Sequence, residues 1–161
     1  MQIEYTPIEG CFIIHDTFFG DSRGYFFESF RQDWLTNQGI EENWVQDNQS
    51  FSQKGTVRGL HFQRAPFAQA KLVRVISGKV LDVVVDLRKG SETFGAVFST
   101  VLDADRNNQL YIPAGFAHGF QVLSEQAEVL YKTSSYYNPA NERAIRWDDT
   151  DLAIDWPVRS S

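Results

Sequence analysis

A succession of short runs rich in branched and aromatic residues, each ended by turn formers, constrains this chain more than any other feature. They are "YFFESF" (25–30), "NWVQDNQSFS" (43–52), "TVRGLHFQ" (56–63), "KLVRVIS" (71–77), "KVLDVVVDL" (79–87), "GAVFSTVL" (95–102), "QLYIP" (109–113), "GFQVLS" (119–124) and "EVLYKTSSYY" (128–137). Such residues suit the pleated, half-buried surface of a strand. Their spacing predicts an antiparallel sandwich or barrel. Gly78 alone separates the runs at 71–77 and 79–87, which predicts a hairpin there. Only "RQDWLTNQG" (31–39) reads as a helix, closing at a glycine. The expected class is all-β, with little helix.

Alternation assigns faces within these strands. In "KVLDVVVDL" the side chains of Leu81, Val83, Val85 and Leu87 share one face, and Asp82 and Asp86 share the other with Val80 and Val84. In the run at 128–137, Tyr131 shares the face of Val129, opposite Glu128 and Lys132. An inward tyrosine is ordinarily a core residue with a satisfied hydroxyl.

The length, 161 residues, suits a single domain over 1–161, and 42% hydrophobic residues with thirteen Phe supply a core. The net charge of -6 argues against non-specific nucleic-acid binding, which needs a basic face. A few arginines focused in a cleft can still hold an anionic small molecule. The single cysteine, Cys11, excludes an internal disulfide framework and a Cys-rich zinc site. No apolar run approaches the roughly 20 residues that cross a bilayer. The N-terminal "MQIEYTPIEG" is too polar for a signal peptide. A cytoplasmic protein without membrane contact is the expectation.

Three histidines are present: His15, His61 and His118. Gly55 to His61 has the spacing Gly-x5-His, and Pro113 to His118 has Pro-x-Gly-x2-His. Both resemble the motifs of the cupin barrel, implying a double-stranded β-helix, or jelly roll. The second histidine of the first motif is Gln63 here, and no glutamate follows closely. Two histidines alone rarely hold a catalytic metal, so no metal is expected. An imidazole free of metal, with an ordinary pKa of about 6.5, suits proton transfer near neutral pH.

Longer stretches carry a closer resemblance. "FGDSRGYFFESF", "VQDNQSFSQKGTVRGLHFQ", "AKLVRVISGKVLDVVVDLRKGSETFG" and "LYIPAGFAHGFQVLSEQAEVLYKTSSYYNPANERAIRWDD" are similar, in order, to the dTDP-4-dehydrorhamnose 3,5-epimerase family, from about Phe19 to Pro157. The resemblance implies an isomerase that inverts C3 and C5 of a dTDP-linked 4-keto-6-deoxyhexose on the way to dTDP-L-rhamnose. It implies a homodimer with shared sites and no cofactor. A 4-keto group acidifies the neighbouring C–H bonds, so epimerisation needs a base, an acid on the opposite face and a donor at the enolate oxygen.

By the same resemblance His61 is the base, Tyr131 the acid and Lys71 the enolate's donor. Taken singly, each also reads as an ordinary core or strand residue. The substrate-binding residues implied are Arg23 and Glu28, acting across the dimer, with Gln46, Asn48, Arg58, His118, Tyr137 and Glu142. Arg58 suits phosphate because its donor fork matches the oxygens. Tyr137, with Phe26 or Phe27, is a candidate to stack on thymine. Strict alternation sets Arg58 and His61 on opposite faces, so a bulge or bend at Gly59 is expected.

The family resemblance further implies a segment beyond Trp156-Pro157 with an aspartate that pairs with the catalytic histidine. This sequence ends at Ser161, which leaves two readings open: a truncated chain, or an imidazole without its usual carboxylate, for which Asp82 and Asp86 are candidate but disfavoured substitutes. Other readings stay open: a mono-epimerase or ketoisomerase on the same scaffold, a catalytically impaired sugar-nucleotide-binding module, or a metal-dependent cupin oxygenase.

Overall fold

A computed structural model describes residues 1–159. The strands are β1 (Gln2–Tyr5), β2 (Phe12–His15), β3 (Phe19–Asp21), β4 (Gly24–Phe26), β5 (Gln46–Gln53), β6 (Val57–Gln63), β7 (Lys71–Ser77), β8 (Lys79–Asp86), β9 (Val97–Asp103), β10 (Asn108–Ile112), β11 (Phe116–Val122), β12 (Gln126–Thr133) and β13 (Glu142–Ala144). One short helix, α1 (Gln32–Asn37), presses Leu35 into the protein and ends before Gly39, whose φ of 84° stops the turn. The six-stranded sheet runs β1-β2-β10-β7-β12-β5, the five-stranded sheet β13-β6-β11-β8-β9, and β3 pairs with β4 in a separate two-stranded sheet. The two large sheets face each other as the expected cupin-type jelly roll. No helix among the described residues is long and apolar enough to cross a membrane.

Three apolar layers explain why several strands read as nearly continuous hydrophobic runs. Between the sheets lie Val73 and Val75 of β7, Leu110 and Ile112 of β10, Val80 and Val84 of β8, and Phe116 and Phe120 of β11. The outer face of the six-stranded sheet packs Phe12, Leu72 and Tyr111 against Leu35 and Ile40. The outer face of the five-stranded sheet packs Leu60, Val83, Val85 and Ala117 beneath Leu152, Ile154 and Trp156. Strand β8 is thus buried on both faces, with the alternation that its sequence predicts.

The hairpin expected at Gly78 does not form. Strand β7 pairs with β10 and β12, whereas β8 pairs with β11 and β9, so the chain changes sheets at this glycine. One residue is too short for a two-residue hairpin loop. Gly78, at φ 77°, lies so close to the Gln126 carbonyl that a Cβ would overlap it. The run at 25–30 also shortens, because β4 stops at Phe26, and β12 stops at Thr133 rather than continuing to Tyr137. Strands β1, β2, β3 and β13 carry no distinct signal in the sequence. Strand β1 is ordered by pairing with β2, β2 also by pairing with β10, β3 by pairing with β4, and β13 by pairing with β6.

The bulge expected at Gly59 is present. Strand β11 opposes His118 to His61 but Phe120 to Arg58, so β6 carries one extra residue between them. Gly59 has φ 118°, and a Cβ there would lie 2.6 Å from the Cα of Gly119 and 2.7 Å from the His118 carbonyl. The prediction is that Gly59→Ala destabilises the fold by about 2–4 kcal/mol in urea unfolding, because left-handed strain and backbone overlap act together.

Candidate active site

Most of the sequence-predicted residues converge on one cleft of about 680 Å³ between the two sheets. Strand β6 supplies Arg58 and His61, and β11 supplies His118, directly opposite His61 in the ladder. The facing sheet supplies Lys71 from β7, Tyr131 from β12, and Gln46 and Asn48 from β5. Glu142 of β13 and Tyr137, in the loop before it, close one end. His61 and Tyr131 therefore come from opposite walls. The bulge at Gly59 lets Arg58 and His61 line the same cleft despite their spacing.

The interior of the cleft is charged. Asp82, fully buried, accepts from His118 Nε2 through both oxygens at 2.9 and 3.0 Å, and His118 itself is only 5% exposed. Lys71 is 7% exposed, with Nζ 5.7 Å from the centroid of the Tyr131 ring. Burial pushes the Lys71 pKa down to about 8, and Asp82, then Glu142, favour its charged form and oppose that fall. His61 is half-exposed, with Nδ1 3.6 Å from Glu142 Oε1. Its pKa is lowered chiefly by burial, with Glu142 acting the other way and the Lys71 amine adding to the fall. A neutral imidazole is thereby favoured, which is the form that can accept a proton.

The mouth of the cleft is held by a chain of hydrogen bonds. Tyr137 donates from its hydroxyl to Glu142 Oε2 at 2.8 Å, which raises the phenol pKa. Its backbone N–H donates to Gln46 Oε1 at 3.1 Å, and Gln46 Nε2 donates to Asn48 Oδ1 at 2.9 Å. Arg58 Nε donates to Ser52 Oγ at 2.8 Å, which aims its guanidinium along the edge of β5. These contacts pre-arrange donors and an exposed aromatic ring before any ligand arrives.

Four sequence-predicted residues lie elsewhere: Arg23, Glu28 and the alternative stacking residues Phe26 and Phe27, none of which lines the cleft. Arg23, 88% exposed, occupies the β3–β4 turn and pairs with Asp21 at 2.7 Å. Glu28 lies 3.4 Å from Arg31, outside the cleft. The structure also corrects the expected substitutes for His61's partner. Asp82 pairs with His118, and Asp86 is taken up by Arg88, Ser91 and Thr93. Glu142 is instead the carboxylate beside His61, because β13 pairs its residue 142 with Gln63 and its residue 144 with His61.

Sequence reasoning also missed the work of Gln63 at this site. This buried amide donates to the Phe67 and Tyr136 carbonyls at 2.7 and 3.2 Å and accepts from the Asn138 N–H at 2.8 Å. At the position where the motif of a metal-binding cupin has its second histidine, this chain fastens two loops that shape the mouth. Its place at the end of the run at 56–63 was legible, whereas its loop partners lie up to 75 residues away.

Comparison with known proteins places this arrangement. The family model described as dTDP-4-dehydrorhamnose 3,5-epimerase matches residues 5–161. The enzyme of that name from Pseudomonas aeruginosa is 52% identical over 162 aligned residues, spanning 100% of this chain and 89% of the relative. Among solved structures, the epimerase from Bacillus anthracis with TDP and PPi bound superposes with a TM-score of 0.96 at 43% identity, covering 99% of this chain and 91% of the other. The epimerase from Legionella pneumophila in complex with dTDP-4-keto-L-rhamnose gives 0.94 at 46% identity, covering 98% and 84%.

Lys71 carries a stability cost that its burial makes testable. Its pKa is about 8 in the fold against 10.5 when solvated, so the unfolded chain binds more protons between those values and stability rises with pH across that window. Below pH 8 the buried charge costs about 3 kcal/mol. Lys71→Met is therefore expected to be more stable than the parent at pH 7, with the gap closing by pH 10.5, as read by urea melts at both pH values.

Proposed function

This chain belongs to the dTDP-4-dehydrorhamnose 3,5-epimerase family, and from that premise we propose that it converts dTDP-4-dehydro-6-deoxy-D-glucose to dTDP-4-dehydro-L-rhamnose by inverting C3 and C5. The observation that carries this reading is the placement of His61 and Tyr131 on opposite walls of one cleft, with the buried Lys71 beside the tyrosine. Inversion requires a proton to leave one face and return on the other.

The reaction follows from those groups. His61, whose Nδ1 faces Glu142, takes the proton from C3 or C5 on its other ring nitrogen. The broken C–H pair enters the ring as a C=C bond, and the C4 carbonyl oxygen takes the negative charge. Lys71 meets that oxygen, where a cation in a largely desolvated site stabilises far more than it would in water. Tyr131 then delivers a proton to the opposite face, which regenerates the ketone with inverted configuration. Solvent takes the proton from His61 and restores that of Tyr131, and a second cycle treats the other carbon. Arg58 holds the diphosphate, His118, Gln46, Asn48 and Glu142 hold sugar and nucleoside polar groups, and Tyr137 stacks on thymine. We place the reaction in the cytoplasm.

The site is completed by a second copy of the chain. Arg23 and Glu28 lie outside their own cleft, on and just after a hairpin that exposes Phe19, Tyr25 and Phe26. An apolar hairpin of this kind seeks a partner surface. In the homodimer Arg23 and Glu28 reach the neighbouring nucleotide.

Two experiments test this. In deuterated water, the chain incorporates label at both C3 and C5 of dTDP-4-dehydro-6-deoxy-D-glucose, and His61→Ala lowers the rate by about 10²–10⁴-fold. Label confined to C3 would assign a mono-epimerase, and dTDP binding without label would assign a binding module. For the shared site, sedimentation finds a dimer at assay concentration, and Arg23→Ala raises KM by roughly 10-fold with kcat retained, as loss of a charged hydrogen bond would. A fully active monomer overturns that part.

A further inference from the structure

The buried pair behind the cleft has a role beyond structure. We propose that Asp82 is a positioning residue for epimerisation: it fixes the ring of His118 as an acceptor for a sugar hydroxyl. This rests on the reading above.

The geometry dictates the tautomer. Both oxygens of Asp82 lie within 3.0 Å of His118 Nε2, and a carboxylate in that place requires Nε2 to carry the hydrogen. Nδ1 is then the free nitrogen, and no protein group among the described residues bonds to it. In a neutral ring it offers a lone pair to the cleft that His118 lines. A hydroxyl next to the reacting carbons is the group it would accept from. The pair cannot swing away, because β11 pairs His118 with Val84 and β8 is buried on both faces between neighbours. Phe116 and Phe120 flank the histidine along its own strand, and both are core residues.

The same carboxylate acts on Lys71. The charged and titratable groups that line the cleft with Lys71 are Glu142 on β13, His61 and Arg58 on β6, His118 on β11, Tyr131 on β12 and Tyr137, with Asp82 on β8 behind His118. Only Asp82 and Glu142 favour its cationic form, and Asp82 does so more strongly. Glu142 stands at the half-open mouth, where solvent screens it, whereas Asp82 is fully enclosed. An enclosed anion supports a nearby cation with little competition from water.

The decisive variant is Asp82→Asn, which keeps shape and, through its amide oxygen, an acceptor for His118 Nε2, while removing the charge. Deuterium exchange into the keto sugar is measured against pH, beside the parent chain. The expected result is a 10- to 100-fold fall in kcat with KM for the substrate nearly unchanged. The alkaline limb of kcat/KM should move down by roughly half a unit or more. A merely structural role would lower the melting temperature and leave that limb in place. Parental kcat and an unshifted limb overturn the proposal. If the parent itself exchanges no deuterium, the epimerase reading fails first, and the two failures are thereby told apart. A second measurement does not depend on the variant folding: nitrogen-15 spectra of the parent chain should show His118 protonated at Nε2, and an Nδ1–H tautomer overturns the proposal.

Discussion

The rest of this structure depends on where the apolar filling between two sheets stops. Along β8 the inward residues run Val80, Asp82, Val84, Asp86, so that hydrophobic and ionic groups alternate within one buried face. Along β12 the face passes from Ala127 and Val129 to Tyr131, and along β11 His118 is set between Phe116 and Phe120. Burying a carboxylate in such surroundings is unfavourable without partners. Asp82 finds His118, and Asp86 finds Arg88, Ser91 and Thr93. Each pairing marks a place where the sandwich exchanges core for polar interior, and the first of them forms the inner wall of the cleft.

That exchange has thermodynamic consequences. Lys71 stands in a buried position with its amine close to a tyrosine ring, and its charge is disfavoured there. A sequence selected for stability alone would place an apolar side chain on this strand between Ala70 and Leu72, both buried. The lysine makes sense as chemistry: a cation that water does not solvate well is ready to meet a developing oxyanion. Stability lost at the site is offset in the three apolar layers, two of which lie on the outer faces, away from the ligand. The barrel can therefore carry a polar interior at one end without becoming loose at the other.

Much of the fold was legible because strands announce themselves locally. The limits of β7 agree with its sequence run, and the faces of β8 followed from simple alternation. Even the bulge at Gly59 was foreseeable, since Arg58 and His61 could line one cleft only if the period of two was broken between them. Pairing was less legible. The β7–β8 junction at Gly78 looks like a hairpin from its neighbours alone, and becomes a sheet crossing because β7 finds β10 and β12 instead. Strand β13, three residues long, has too little pattern to announce itself and exists because β6 offers it an edge.

The sequence by itself determined the class of fold, the family and the residue types that the chemistry needs, because side-chain period and motif spacing are local properties written into consecutive residues. Tertiary structure decided which carboxylate serves which histidine. Glu142 is 81 positions from His61 and Asp82 is 36 from His118, and nothing in the spacing distinguishes these pairings from their alternatives. They arise because β13 and β8 pack against particular neighbours in one sheet, and register across a sheet depends on long-range packing and bulges rather than on sequence proximity.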